Sequence, residues 1–185
     1  ISITNGARTA PAYGATVVLS TTAPAPPQKV QMRAGGTHVA KLYDGVTLFH
    51  GPHLQHLKQV SVNGDVLTAR CINVALNATL AGQFESTRSA VNGFAADAMM
   101  QAMLVVARNK HGAASLPSSL GSLQWLRAIP AGGEYLMRLE ATTSASGCSG
   151  TCYLHDADGV PYAIGRDLAV TINRDLQFSS AAPPP

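Results

Sequence analysis

Charge is scarce in this 185-residue chain: Asp, Glu, Lys and Arg make up 12% of it, and the formal net charge is only +3. The basic residues are scattered singly, without the clustered stripe interleaved with aromatics that nucleic-acid binding needs, so nucleic acid is excluded as an expected partner. No apolar run approaches the roughly 18 to 20 residues of a membrane span, which sets a membrane aside and predicts a soluble chain. Nor does a charged stretch followed by an apolar one mark a signal peptide. The chain begins at Ile1 without an initiator Met, and its start reads as a cut in a longer protein. Cysteine is sparse and odd in number, at Cys71, Cys148 and Cys152. A chain of this length does not need covalent staples, so the count predicts a reducing, cytoplasmic compartment. Cys148-Ser-Gly-Thr-Cys152 has one spacer too many for a redox pair, and no second pair completes a zinc site. Thiols in or beside a strand are expected instead. Aromatics are only 5%, while 46% of residues are apolar. That is enough for one ordinary core built from Ala, Val and Leu, and it excludes a disordered chain.

Along the chain, Thr16-Val-Val-Leu-Ser20 reads as a strand and is followed by Thr21-Thr-Ala-Pro-Ala-Pro-Pro27, whose prolines disfavour helix and central strand alike. The tail Ala181-Ala-Pro-Pro-Pro185 has the same tether-like composition. Between them, residues 57–76 read as two strands around Val62-Asn-Gly-Asp65, where Asn63-Gly64 supplies the positive φ of a tight hairpin turn. Further β-like segments are Tyr135–Glu140, Thr151–His155 and Pro161–Val170, the last two joined by a turn at Asp156-Ala-Asp-Gly159.

One segment differs in kind. Phe94–Lys110 is long and rich in Ala, Met and Leu, which predicts a helix. From Phe94 to Ala107 its only polar residues are Asp97 and Gln101, so the helix is hydrophobic nearly all round and is expected to be wrapped by the sheet. Asp97 and Gln101 stand four apart on one face. An unpartnered buried polar group costs on the order of 2 to 7 kcal/mol, so the carboxyl must be accounted for. Three accounts stay open: Asp97 caps the helix, it pairs with Gln101, or it belongs to a functional site. His50, His53 and His56 are spaced by three, but Pro52 interrupts any helix there and no carboxylate is near in sequence, which argues against a metal site.

In order, the chain presents Leu48-Phe-His-Gly-Pro-His-Leu-Gln55, a hairpin, Asp97-Ala-Met-Met-Gln101 on a buried helix, Leu116-Pro117, and strands around Asp156-Ala-Asp-Gly159. This order and spacing resemble the dehydratase domain of polyketide and polyunsaturated fatty acid synthases, in particular the second half of its double hot-dog, from about Lys41 to Leu176. The resemblance implies an α+β hot-dog fold, a curved antiparallel sheet wrapped around a central helix. Its domain reading is a last strand of a preceding half over 1–21, a Pro/Gly-rich linker over 22–36, the C-terminal hot-dog over 37–178, and a Pro-rich tail over 179–185.

The implied activity is loss of water from a β-hydroxyacyl thioester carried on the phosphopantetheine of an acyl carrier protein, with no further cofactor and no metal. In such domains a His of the first half takes the α proton and the Asp of the second-half helix helps the hydroxyl leave. Asp97 occupies that position, with Gln101 and His50 beside it, and Phe49, Gly51, Pro52, Leu116 and Pro117 are the substrate-binding candidates. An acid that protonates a departing hydroxyl near neutral pH needs a raised pKa, and the apolar surroundings of Asp97 are expected to supply it. The implied partners are the carrier protein and either the N-terminal half or a second copy of the chain. The chain departs from the family in three ways. None of its six His completes H-x-x-x-G-x-x-x-x-P; His155 has Gly159 in place but Ile164 where Pro belongs. His50 stands where many members have Tyr, and Leu54 where Phe is common. A non-catalytic module that keeps the fold for structural or acyl-chain binding is the competing reading, and a thioesterase-like use of Asp97 a third.

Overall fold

The hairpin expected around Asn63-Gly64 anchors the sheet. In the computed structural model, which describes residues 2–3, 13–22, 27–32, 35–45, 47–73 and 92–175, strand β4 (Leu57–Asn63) turns into β5 (Val66–Ile72) with Asn63 paired to Val66. Gly64 takes the left-handed conformation at φ 60°, which lets a two-residue turn close without a Cβ clash. Around this pair runs an antiparallel sheet of seven strands, completed by β3 (Thr37–His38), β6 (Ala114–Trp125), β7 (Glu134–Thr143), β8 (Gly147–His155) and β9 (Pro161–Asn173). A separate two-residue ladder joins β1 (Ser2–Ile3) to β2 (Tyr13–Gly14). Thr16–Ser20, expected as a strand, joins no ladder among the described residues, and Val17, Val18 and Leu19 are exposed.

Helix α1 (Gly93–His111) matches the expected segment to within a residue at each end. Asn92 caps it by accepting from the Ala95 N–H at 3.0 Å, and Gly112 ends it in the left-handed conformation at φ 62°. Ten of its residues are buried, Gln101 among them. The helix lies against β6, β7, β8 and β9. A Cβ on Gly165 of β9 would stand 2.9 Å from Met99 Sδ, so the absent side chain sets how closely strand and helix approach.

The sheet corrects the expected architecture. A hot-dog sheet curved and wrapped around the helix, as half of a double hot-dog, is not what the chain forms. The sheet is neither curled nor closed; its strands run in the order β3-β4-β5-β7-β8-β9-β6, with β3 and β6 as edges among the described residues. The all-round burial of the helix has a different source. Its far side is covered by the irregular segment before β4: Leu42 and Leu48 join the same core as the helix, and a 3-10 turn (Pro52–Leu54) touches it directly. A helix apolar on every side needs cover on every side, and here a loop supplies part of it.

Candidate functional site

The loop that covers the helix also assembles the polar groups. Asp97 lies one turn beyond the capped end, so it does not cap the helix; it pairs with Gln101, whose Nε2 donates to Asp97 Oδ2 at 2.7 Å. The same Nε2 donates to the Leu54 carbonyl at 2.7 Å, and Gln101 Oε1 accepts from the Tyr43 hydroxyl at 2.9 Å. Tyr43 Oη in turn accepts from the Leu57 N–H at 3.0 Å. Every polar atom of the buried Gln101 side chain is thus engaged, as burial requires. Burial pushes the Tyr43 phenol well above its ordinary range, against a smaller lowering by the Leu57 N–H.

His50 reaches the same carboxylate from the loop, with Nε2 3.7 Å from Asp97 Oδ2. That is an electrostatic approach, beyond hydrogen-bond length. The His50 side chain is 10% exposed and the Asp97 side chain 36%, so the carboxylate stands at the rim with solvent access on one side. Burial lowers the pKa of His50, and the charge of Asp97 works against this without overturning it. The Gln55 side-chain amide fixes the loop backbone here by donating to the His50 carbonyl at 3.0 Å, and the Phe49 ring stacks on the imidazole with centroids 4.9 Å apart. Gly51 and Pro52 form the exposed start of the 3-10 turn.

Asp97, Gln101, His50, Phe49, Gly51 and Pro52 therefore gather at one place. Leu116 and Pro117 do not. They pair with Thr171 and Val170 near the C-terminal end of the helix, whereas the helix side of Met99 meets β9 at Gly165, opposite Leu123. Sequence reasoning missed Tyr43, the Leu54 carbonyl and His56. His56 is fully buried beneath the site, its ring stacked on Phe94 at 6.0 Å and its Nδ1 3.3 Å from Tyr135 Oη. Burial drops its pKa to about 4, with Asp97 opposing and Lys58 adding to the effect. His53 is exposed on the 3-10 turn, so the three histidines do not converge. Among the described residues no group of three or more His, Cys, Asp or Glu is placed to hold a metal. The three cysteines are buried and unpaired, on β5 and β8. No described helix is long and apolar enough to cross a membrane.

No family model matches the chain. Over 126 residues it is 36% identical to one of the subunits of the polyunsaturated fatty acid synthase of Thraustochytrium sp., a match that covers 65% of this chain and 4% of that protein. The chain thus corresponds to a small part of that relative. Its fold is similar to the dehydratase domain of RzxB from Pseudomonas fluorescens, with a TM-score of 0.59 at 19% identity over 78% of this chain and 54% of that one. It is likewise similar to GphF dehydratase 1, with a TM-score of 0.61 at 17% identity over 78% of this chain and 53% of that one. For the dehydratase domain from the CurH module of curacin polyketide synthase the TM-score is 0.60 at 15% identity, over 84% of this chain and 56% of that one. In sequence the chain is thus similar to part of a polyunsaturated fatty acid synthase subunit, and in fold to dehydratase domains such as that of the CurH module of curacin polyketide synthase.

Proposed function

We propose that the chain is the Asp-bearing half of a dehydratase that removes water from a β-hydroxyacyl thioester delivered by an acyl carrier protein. Asp97 is the acid and a His of the preceding half is the base. The observation that carries this reading is the Asp97 carboxyl itself: anchored on a buried helix by Gln101, approached by the His50 imidazole, and partly open to solvent. In the elimination the base takes the α proton and the electrons of that C–H bond form the C=C bond. The C–O bond breaks, and the hydroxyl leaves as water with the proton of Asp97. Gln101 holds the carboxyl in place, and the exposed Phe49, Gly51 and Pro52 meet the acyl chain. The phosphopantetheine arm belongs to the carrier protein, so no cofactor of the chain enters the step.

The test joins the chain to a preceding half that carries the His motif and measures hydration of a crotonyl thioester, the reverse reaction. Asp97→Asn is expected to lower turnover by at least about a hundredfold, the usual size of a lost acid, with the circular dichroism unchanged. Undiminished turnover removes Asp97 from the mechanism. Absence of hydration in the unsubstituted complex, with carrier-protein crosslinking retained, favours the non-catalytic acyl-binding module.

A further inference from the structure

Polar groups from the loop, β4 and the helix meet beside Asp97, and their donor and acceptor capacities admit one arrangement. The Leu54 carbonyl can only accept, and it lies 2.7 Å from Gln101 Nε2. Turning the Gln101 amide end for end would set its oxygen against that carbonyl and against Asp97 Oδ2, oxygen to oxygen at the same distances. The amide therefore gives both hydrogens of its NH2, one to each, and its Oε1 is left to accept. Tyr43 has a single hydrogen to donate. Its oxygen already takes the Leu57 N–H, so that hydrogen is committed to Gln101 Oε1. The chain of bonds runs in one direction, from the backbone of β4 to the carboxyl.

We propose that Tyr43 is a positioning residue: through Gln101 it holds Asp97 Oδ2 as a hydrogen-bond acceptor, so that the proton passed to a departing hydroxyl is carried on Oδ1. His50 Nε2 also approaches Oδ2, at 3.7 Å. Among the described residues both polar neighbours thus stand on one side of the carboxyl, and the other oxygen is left to the substrate. Oδ2 accepts from Gln101 before the proton leaves Oδ1 and after, so the donors need not reorganise during the step, which is the condition under which fixed dipoles act best. The assignment of Oδ1 as proton carrier rests on the dehydratase reading; the role of Tyr43 in holding Gln101 does not.

Two measurements separate them. In the 15N-labelled chain, the Gln101 side-chain NH2 signals are assigned by their loss in Gln101→Leu. In Tyr43→Phe the pair is expected to lose its separation and to exchange with solvent about tenfold faster or more, the equivalent of one lost hydrogen bond. Signals that stay in place overturn the proposal whatever the activity. Asp97→Asn, at a half-exposed position, reads the same chain from its other end and must shift both the Gln101 NH2 pair and the Tyr43 hydroxyl proton; it keeps the test decisive if Tyr43→Phe does not fold. In the complex with the preceding half, Tyr43→Phe is expected to lower kcat for hydration by about tenfold with KM within about twofold. The double variant with Gln101→Leu should be no slower than Gln101→Leu alone. Losses that add overturn the coupling. If the complex shows no hydration at all, the dehydratase reading and the Oδ1 assignment fall, while the NH2 signals still decide the place of Tyr43.

Discussion

A neutral imidazole beneath the site sets an acid limit on the fold. Burial lowers His56 from an ordinary 6.5 to about 4. The unfolded chain takes up this proton near pH 6.5 and the folded chain resists until about pH 4, so between the two the unfolded state binds more protons and stability falls as pH falls. Above that window both states are neutral and the contribution is constant. His50, lowered by its own burial, acts in the same direction. The thermal midpoint should therefore decline as pH drops through this range, and decline less in His56→Gln, which has no proton to gain. Parallel profiles for the two proteins would show that His56 is not the group responsible. At this scale the sequence was legible where chemistry is carried by side chains in motifs: Asp97, Gln101 and His50 stand out as residue types at a spacing. Tyr43 and the Leu54 carbonyl do not, because one acts from an aperiodic loop and the other is main chain, which has no residue identity to read. His56 was visible only as part of a histidine series, and its burial depends on Phe94 and Tyr135, distant in sequence.

The elements were legible in proportion to their local signals. The helix has length, composition and capping residues at both ends, and the β4–β5 hairpin has Asn63-Gly64. Strand β6 has neither a clean alternation nor a β-rich composition, since Pro117, Gly121 and four serines interrupt it. It survives because it is an edge strand, where a proline forfeits no ladder bond on its free side. Thr16–Ser20 shows the opposite failure: β-branched residues favour a strand only where a partner and a core are present. The start of α1 shows how tertiary contacts reinforce a local signal. The Asn92 side chain caps the helix and donates to Asn73 Oδ1 at 2.8 Å, while Asn73 donates to the carbonyls of Ile129 and Pro130. One side chain thus ties the helix to the end of β5 and to the loop before β7. Asn92→Ala removes both bonds and is expected to cost about 1 to 2 kcal/mol in urea unfolding. Asn92→Asp keeps the cap but sets a carboxylate against Asn73 Oδ1, whose amide cannot turn round without losing two carbonyls. It should fall between Ala and the unsubstituted chain. An Asp variant of full stability would mean that the cap alone matters.

For the whole molecule, the consequence of an open sheet is a free edge. A closed or wrapped sheet would leave β6 paired on both sides; here it pairs with β9 alone among the described residues, and it carries exposed leucines at positions 116 and 120. This is the part of the architecture least legible from sequence, because the number of apolar residues in a helix states that it needs cover but not whether strands or a loop provide it. An exposed edge with apolar side chains is a template for another chain, and natural proteins guard such edges with charge or irregularity. β6 has irregularity, in the register shift between Pro117 and Ser119, but no charged residue along its length. The chain is therefore expected to associate through β6, with a second copy or with the preceding half proposed above, and light scattering of the chain alone should show a mass that rises with concentration. Leu120→Lys places a charge on this edge where the wild-type side chain is already exposed, so it should not cost core packing. It should shift the chain towards monomer with little change in thermal midpoint. Association unaffected by the lysine would locate the contact elsewhere, on a face of the sheet rather than its edge.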